Sequence, residues 1–320
     1  MLIIVIRTVC ILLFALTAFD TSAQGKPFKV AQGSVTGTYT KAFAEFQEYC
    51  STPDLPLEKT DAEVSDGTSN LNALLQNQAS AAFVRSDLVF FRSMSEGLSN
   101  VKTLFSLWPE QVHVLALKES KTFRQTEVPG KYFGKNTVNQ QVVFNTVADL
   151  AGAKVGVAGA NEITANIIRS QSGIDFQVVP MQDGKSCMAA LAAGQIDAVI
   201  FTAGQPLPIL KDITGATHKL LPFPDAIVEK LKGVYRPAKL YYSKVSPAAI
   251  SSLEADALFV TREFKTQDKI QQLAKLRACF YTKLDQLKDE GVNPYWQKVS
   301  ADNKGTWPNW YDLPTIAKKK

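Results

Sequence analysis

Lys154-Val155-Gly156-Val157-Ala158-Gly159-Ala160-Asn161-Glu162 carries the pattern that decides the fold. Lys154 to Val157 is a short apolar run and predicts a buried strand. Gly159-Ala160-Asn161 is a turn. A helix follows from Glu162 to about Gln171, and Gly173 ends it, as a glycine just past a helix commonly does. The same grammar continues downstream. Phe176 to Val179 predicts a strand, Lys185 to Ala193 a helix and Ile196 to Phe201 a strand.

It also runs upstream. Phe28 to Ala31 predicts a strand, and Gln32 to Thr38 a turn of Gly, Ser and Thr. Ala42, Phe43, Phe46, Tyr49 and Cys50 then recur at helical steps, before two prolines between Ser51 and Pro56 break the helix. Glu63 to Ser65 reads as a second strand. Asp66 to Asn70 is a turn rich in capping residues, leading to a helix face of Leu71, Leu74 and Leu75. Ala81 to Val84 reads as a buried strand, with Ser86 and Asp87 capping the next helix. Val112 to Leu117 is a strand, apolar except for His113. Lys118 to Asn145 is polar and irregular, and reads as a crossing into a second unit. Tyr235 to Val245 is expected at that unit's edge, and Ala257 to Val260 is expected to cross back. A long helix from about Asp268 to Lys288 precedes an ordered arm with Trp296, Trp307 and Trp310 among prolines. Apolar strands alternating with helices predict an α/β fold whose mainly parallel sheets are buried on both faces by helices.

The first residues point to export. Met1 to Thr17 is apolar with Arg7 as its only charge, and Thr21-Ser22-Ala23-Gln24 follows. This predicts a signal peptide over residues 1–23, cut after Ala23. No later run is long and apolar enough to cross a bilayer. The chain of 320 residues suits about two domains. Its net charge of +5 includes Lys318-Lys319-Lys320, and no basic stripe with interleaved aromatics accompanies it, which argues against nucleic-acid binding.

Chemistry points to binding rather than catalysis. In open parallel sheets, ligands sit beyond the carboxyl ends of the strands, where helix starts present free N–H groups. Gly33 to Thr38, Asp66 to Asn70 and Gly159 to Glu162 are three such turns, suited to a carboxylate or another small anion. His113 reads as a core histidine and His218 as part of a surface loop. No nucleophile elbow, zinc-protease helix, phosphate loop or dinucleotide fingerprint is found, and no metal site or cofactor is expected.

Five stretches, in order, resemble the TAXI-type solute receptors of TRAP transporters. They are Gly33 to Tyr39, Gly67 to Leu71, the Ala82 to Asp87 strand ending in serine-aspartate, Leu107 to Val114, and Gly194 to Ala198 with Gly204-Gln205-Pro206. The resemblance implies a periplasmic, non-enzymatic binding protein of type II. Lobe 1 would comprise residues 24–117 and 258–320, and lobe 2 residues 118–257. It implies a monomer that closes on a small organic acid or amino acid and delivers it to an integral membrane transporter subunit. A binding protein of the same fold for an ABC importer or a membrane sensor is the alternative.

By the same resemblance, Ser34, Thr38, Tyr39, Ser69, Asn70, Ser86 and Asp87 line the ligand from lobe 1, with Asn161, Thr202, Gly204 and Gln205 opposite. Where the family reads glycine-serine-glycine-threonine, this chain has Gly159-Ala160-Asn161-Glu162. Glu162 either complements the helix dipole or pairs with a ligand ammonium. Export places the cysteines in an oxidising space. After cleavage Cys50, Cys187 and Cys279 remain. Cys50 and Cys279 fall in one lobe and are the expected bridge, leaving Cys187 a buried thiol.

Overall fold

Two strands much longer than the sequence pattern suggests hold the molecule together. The computed structural model describes residues 26–35, 37–129 and 135–314. The signal-peptide segment, Thr36 and the C-terminal lysines lie outside the described residues.

Near the N-terminus the chain forms β1 (Phe28–Ala31), α1 (Thr38–Cys50), β2 (Leu57–Lys59), α2 (Gly67–Leu75), β3 (Ala81–Arg85), α3 (Ser86–Glu96) and β4 (Val101–Leu117). An antiparallel hairpin of β5 (Phe123–Pro129) and β6 (Lys135–Gln141) follows. Then come β7 (Lys154–Ala158), α4 (Asn161–Ser172), β8 (Gln177–Met181), α5 (Gly184–Ala193), β9 (Ala198–Ala203), β10 (His218–Leu220), α6 (Asp225–Leu231), β11 (Arg236–Leu240), β12 (Ile250–Arg262) and α7 (Gln267–Glu290).

The fold is α/β, with one curled mixed sheet and helices on its faces. The strand order is β2-β1-β3-β12-β4-β9-β7-β8, with β10 added on β4 and β11 on β12. Each end of the sheet is parallel: β2, β1 and β3 at one end, β9, β7 and β8 at the other. Between them β12 runs antiparallel to β3 and β4, and β4 antiparallel to β9.

Both long strands change partners at one point. β4 pairs with β12 up to Gln111 and with β9 from Gln111 onward. β12 pairs with β11 up to Glu254 and with β4 beyond it. Gln111 and Glu254 are register partners, and the Gln111 amide donates to the Glu254 carboxylate at 3.1 Å. Pro109 lies two residues before the exchange, opposite Asp256, where the register shifts. Proline has no N–H for a ladder, so it suits this irregular position.

The core divides accordingly. On one face of the first half, Phe46, Phe105, Phe259 and Phe280 stack or meet edge to face beneath α1 and α7. On the other face, Leu71, Leu74, Leu88 and Val260 pack under α2 and α3. In the second half, Val155, Val157, Ile167 and Ile200 pack under α4, and Cys187, Leu191 and Val199 under α5. Burial on both faces is why these strands read as unbroken apolar runs.

Several expectations are corrected. Glu63 to Ser65 is not a strand; the edge strand is Leu57–Lys59, which follows the prolines directly. Lys118 to Asn145 holds the β5–β6 hairpin, whose strands are largely exposed and therefore show no apolar alternation. His218 opens β10 on the edge of β4 rather than a loop. Ser86 and Asp87 are the first residues of α3; its N-cap is Arg85, and no side chain caps it.

The Cys50–Cys279 disulfide forms and ties the end of α1 to α7 across 229 residues. Cys187 is a buried free thiol. The C-terminal arm lies along β4: the Thr103 N–H donates to Asn309 O at 2.8 Å, and the Tyr311 N–H to Thr103 O at 3.0 Å. A bridge that closes so long a loop restricts the unfolded chain strongly. Replacing Cys279 with Ser should lower stability by about 2–5 kcal/mol. Urea unfolding without reductant, beside the wild type, measures it; an unchanged midpoint would assign the bridge no stabilising role.

Candidate functional site

The three turns singled out from the sequence open into a single cavity of about 250 Å³ between the two halves of the sheet. Gly33, with φ +83°, turns the chain after β1, and the Gly37 N–H closes the loop onto Ser34 O at 2.9 Å. α1 starts at Thr38, in the cavity lining, and its N-cap Gly37 supplies no side-chain cap to the first-turn N–H groups. α2 is capped by Asp66, whose carboxylate accepts from the Ser69 N–H at 2.9 Å. α4 starts across the cavity at Ala160 and Asn161.

The halves come close here. A Cβ on Gly159, whose φ is +55°, would meet the Asp66 carboxylate at 3.0 Å. The left-handed backbone favours glycine here, and a side chain would also press on the Asp66 carboxylate.

The floor of the cavity is a buried ion pair. Arg85, the last residue of β3, forks onto Asp87, with Nε to Oδ1 at 2.9 Å and Nη2 to Oδ2 at 3.1 Å. Its remaining donors all reach the other half. Nη1 donates to Asn161 Oδ1 at 3.1 Å, and Nη2 donates to Ala160 O at 3.0 Å and to Thr164 Oγ1 at 2.7 Å. Asp87, fully buried, also accepts from Thr164 Oγ1 at 2.8 Å and from the Tyr235 hydroxyl at 3.0 Å. Burial works against the guanidinium charge, but the Asp87 carboxylate outweighs it and holds the Arg85 pKa above its ordinary value.

Above the pair sits Glu110, on β4 one residue before the exchange of partners. Its side chain is 7% exposed and lines the cavity beside Arg85 and Tyr39. The Trp108 indole lies within 3.4 Å of its Oε1. Burial raises the Glu110 pKa to about 7, with the Arg85 charge working the other way. Burial, and then the Glu110 charge, push the Tyr39 hydroxyl well above its ordinary range.

The expected site residues separate into two groups. Ser34, Thr38, Tyr39, Asn161 and Thr202 line the cavity. The others lie outside its lining. Ser69 completes the capping box of α2, and Asn70 is buried, donating to Phe83 O at 2.8 Å. The Ser86 hydroxyl accepts from the Asp256 N–H at 3.0 Å and from Thr306 Oγ1 at 2.7 Å. Asp87 lies beneath the cavity, on Arg85. Glu162 is exposed in the first turn of α4. Gly204 packs under the Tyr295 ring, whose hydroxyl donates to its carbonyl at 3.0 Å, and Gln205 donates to Tyr241 O at 3.3 Å.

Sequence reading placed Asp66 only within a cleft turn, and missed Gln32, Arg85 and Glu110 as lining residues. Arg85 and Glu110 did leave a signal: each is a charge inside an apolar strand, where burial without a partner is costly. His113 is the core histidine expected, with Nδ1 at 2.9 Å from Gln111 O and Nε2 at 2.8 Å from the Tyr242 hydroxyl. Burial lowers its pKa to about 4. It is not in the cavity lining.

No family model matches the chain. No curated protein matches it. Solved structures do. A TctC solute-binding protein from Polaromonas is 13% identical, with 85% of this chain and 87% of that chain covered and a TM-score of 0.48. A substrate-binding protein of an amino acid ABC transporter from Streptococcus pneumoniae, bound to L-arginine, is 12% identical, with 87% and 96% covered and a TM-score of 0.48. The GluR0 ligand-binding core from Nostoc punctiforme, in complex with L-glutamate, is 11% identical, with 84% and 100% covered and a TM-score of 0.47.

Two outcomes follow from this geometry. Arg85→Met should destabilise the protein by roughly 3–5 kcal/mol, because it strands the buried Asp87 carboxylate. The double variant with Asp87→Asn should recover part of that loss in urea unfolding; a double variant worse than the sum of both singles would refute the pairing argument. Glu110 gives a pH signature. Its folded pKa, about 7, lies above its ordinary 4.5, so the folded state holds the extra proton. Its contribution to stability is therefore lost as pH rises from about 4.5 to 7. His113 acts in the opposite sense: its pKa falls from 6.5 to about 4, and its contribution is lost as pH falls through that window. Glu110→Gln should thus gain stability relative to wild type as pH rises to 7, measured as the difference in melting temperature. A constant difference would contradict the burial of Glu110.

Proposed function

We propose that this chain is an extracytoplasmic solute receptor rather than an enzyme, a two-lobe binding protein of type II that closes on a small organic acid or amino acid. One observation carries the reading: a cavity between the two halves of the sheet, rimmed by the starts of α1, α2 and α4. Helix starts offer oriented N–H donors and a partial positive end, which suits a polar ligand. A cavity of about 250 Å³ suits a metabolite rather than a polymer.

The reading divides the chain into lobe 1 over residues 24–117 and 258–320 and lobe 2 over residues 118–257, with the signal peptide 1–23 removed on export to the periplasm. The two long strands β4 and β12 are the connections between the lobes. Their shared exchange of partners at Gln111 and Glu254 supports a hinge near that pair. Delivery to a TRAP-type membrane transporter rests on the sequence resemblance, and the receptor acts as a monomer.

Ligand binding should raise stability by about 2.7 kcal/mol at a hundred times its dissociation constant. It should also reduce the radius of gyration. A thermal-shift panel of amino acids, dicarboxylates and keto acids finds the ligand, and small-angle scattering with and without it reads closure. A saturating ligand that leaves the scattering unchanged would remove the hinge from this account.

A further inference from the structure

The charge inventory of the cavity says more than the helix starts do. Its charged lining residues are Asp66, Arg85 and Glu110. The Arg85 guanidinium is already committed to Asp87, Asn161, Thr164 and the Ala160 carbonyl. Only its second Nη1 proton is loosely held, by Thr202 O at 3.4 Å. What remains is two carboxyl groups. Gln32, 7% exposed and also in the lining, adds a buried Oε1 that no donor among the described residues meets. Beside these acceptors the Tyr39 hydroxyl is the one buried lining donor without a partner among the described residues, and an acceptor buried without a donor is costly. A second anion brought into this space would meet Glu110 and Asp66.

We propose that Glu110 selects the ligand: it pairs with a cationic nitrogen on the bound molecule and disfavours a simple dicarboxylate. The assignment rests on the receptor reading above and names the residue and the ligand charge that reading leaves open. An ammonium group brings several N–H donors to Glu110 and the Gln32 oxygen. A charge-assisted bond of this kind is stronger than a neutral one. Asp66 stands at the opposite rim, already accepting from the Ser69 N–H.

The groups that face Glu110 are Tyr39 on α1, Arg85 and Asp87 at the β3–α3 junction, the Trp108 indole on its own strand, and Tyr295 after α7. Among them only Arg85 is a cation, and Asp87 offsets it. With its pKa at about 7, Glu110 is part protonated near neutrality in the empty cavity. A ligand ammonium stabilises the carboxylate, so binding releases a proton. A dicarboxylate does the reverse, so its binding takes a proton up.

The test is calorimetry on the wild-type protein at pH 7, in two buffers of different ionisation heat, with putrescine, L-alanine, L-glutamate, succinate and 2-oxoglutarate as probes. We expect an amine-bearing probe to bind with proton release and about tenfold more tightly at pH 8 than at pH 6. Glu110→Gln should weaken that probe by about tenfold or more and abolish the proton release, whereas Glu162→Gln should change neither. The proton count in the wild type reads the assignment even if the Glu110 variant folds poorly. Tightest binding by succinate or 2-oxoglutarate with proton uptake would overturn the role of Glu110 and leave the receptor standing. Amine binding that Glu110→Gln leaves unaltered would do the same. Failure of every probe to bind would overturn both.

Discussion

The buried fork between Arg85 and Asp87 is the contact on which the two halves depend. Moving either charge out of water is expensive, and a buried pair is stable only if its remaining donors and lone pairs are met. Here they are met from across the sheet. Asn161, Ala160 and Thr164 belong to the start of α4, and Tyr235 lies just before β11. Neither half could bury Arg85 and Asp87 alone without leaving polar atoms unsatisfied. Cavity and pair are built by the same residues, because Asn161 both takes a guanidinium bond and lines the cavity.

A second polar cluster links the partner exchange of β12 to the arm. Arg236 on β11 reaches Glu254 at 3.1 Å and Asp256 at 2.6 Å, both just before the irregular stretch of β12. Asp256, fully buried, also accepts from Asn303 Nδ2 at 3.0 Å and from the Thr306 N–H at 2.7 Å. The C-terminal arm is thereby fastened to the strand that leaves the exchange point. Sequence distance is no guide to such a network, since its members come from three separate parts of the chain.

That contrast explains what the sequence discloses. Strands buried on both faces appear as apolar runs, and helices with one buried face appear as stripes at three- and four-residue steps, so β1, β3, β7, β9, α1, α4 and α7 were legible. So were the three cleft turns, because glycine and small hydroxyl residues cluster where strands end and helices start. The β5–β6 hairpin was not, since exposed strands need no apolar alternation. β4 was read only from Val112 because Pro109, Glu110 and Gln111 interrupt its apolar run; that interruption is the exchange point itself. Arg85 and Glu110 lie just outside the apolar runs Ala81 to Val84 and Val112 to Leu117, and each is a charge where burial disfavours one. Such violations of local consistency concentrate at functional or strained positions.

Glu110 is the case where this matters most. An apolar side chain at this strand position would spare the protein a buried carboxyl, at the cost of the long 3.4 Å bond from the Trp108 indole. The structure keeps that carboxyl, places it against a cavity and gives it a single nearby cation already held by Asp87. Stability alone does not account for such an arrangement, because a carboxyl raised to about 7 destabilises the empty protein as pH rises toward neutrality. With the proposed role of Glu110, a cation entering the cavity removes that penalty. A group that is unfavourable in the empty state and satisfied in the occupied one favours the occupied state by that difference, and the closing of two lobes over a ligand needs such a differential interaction.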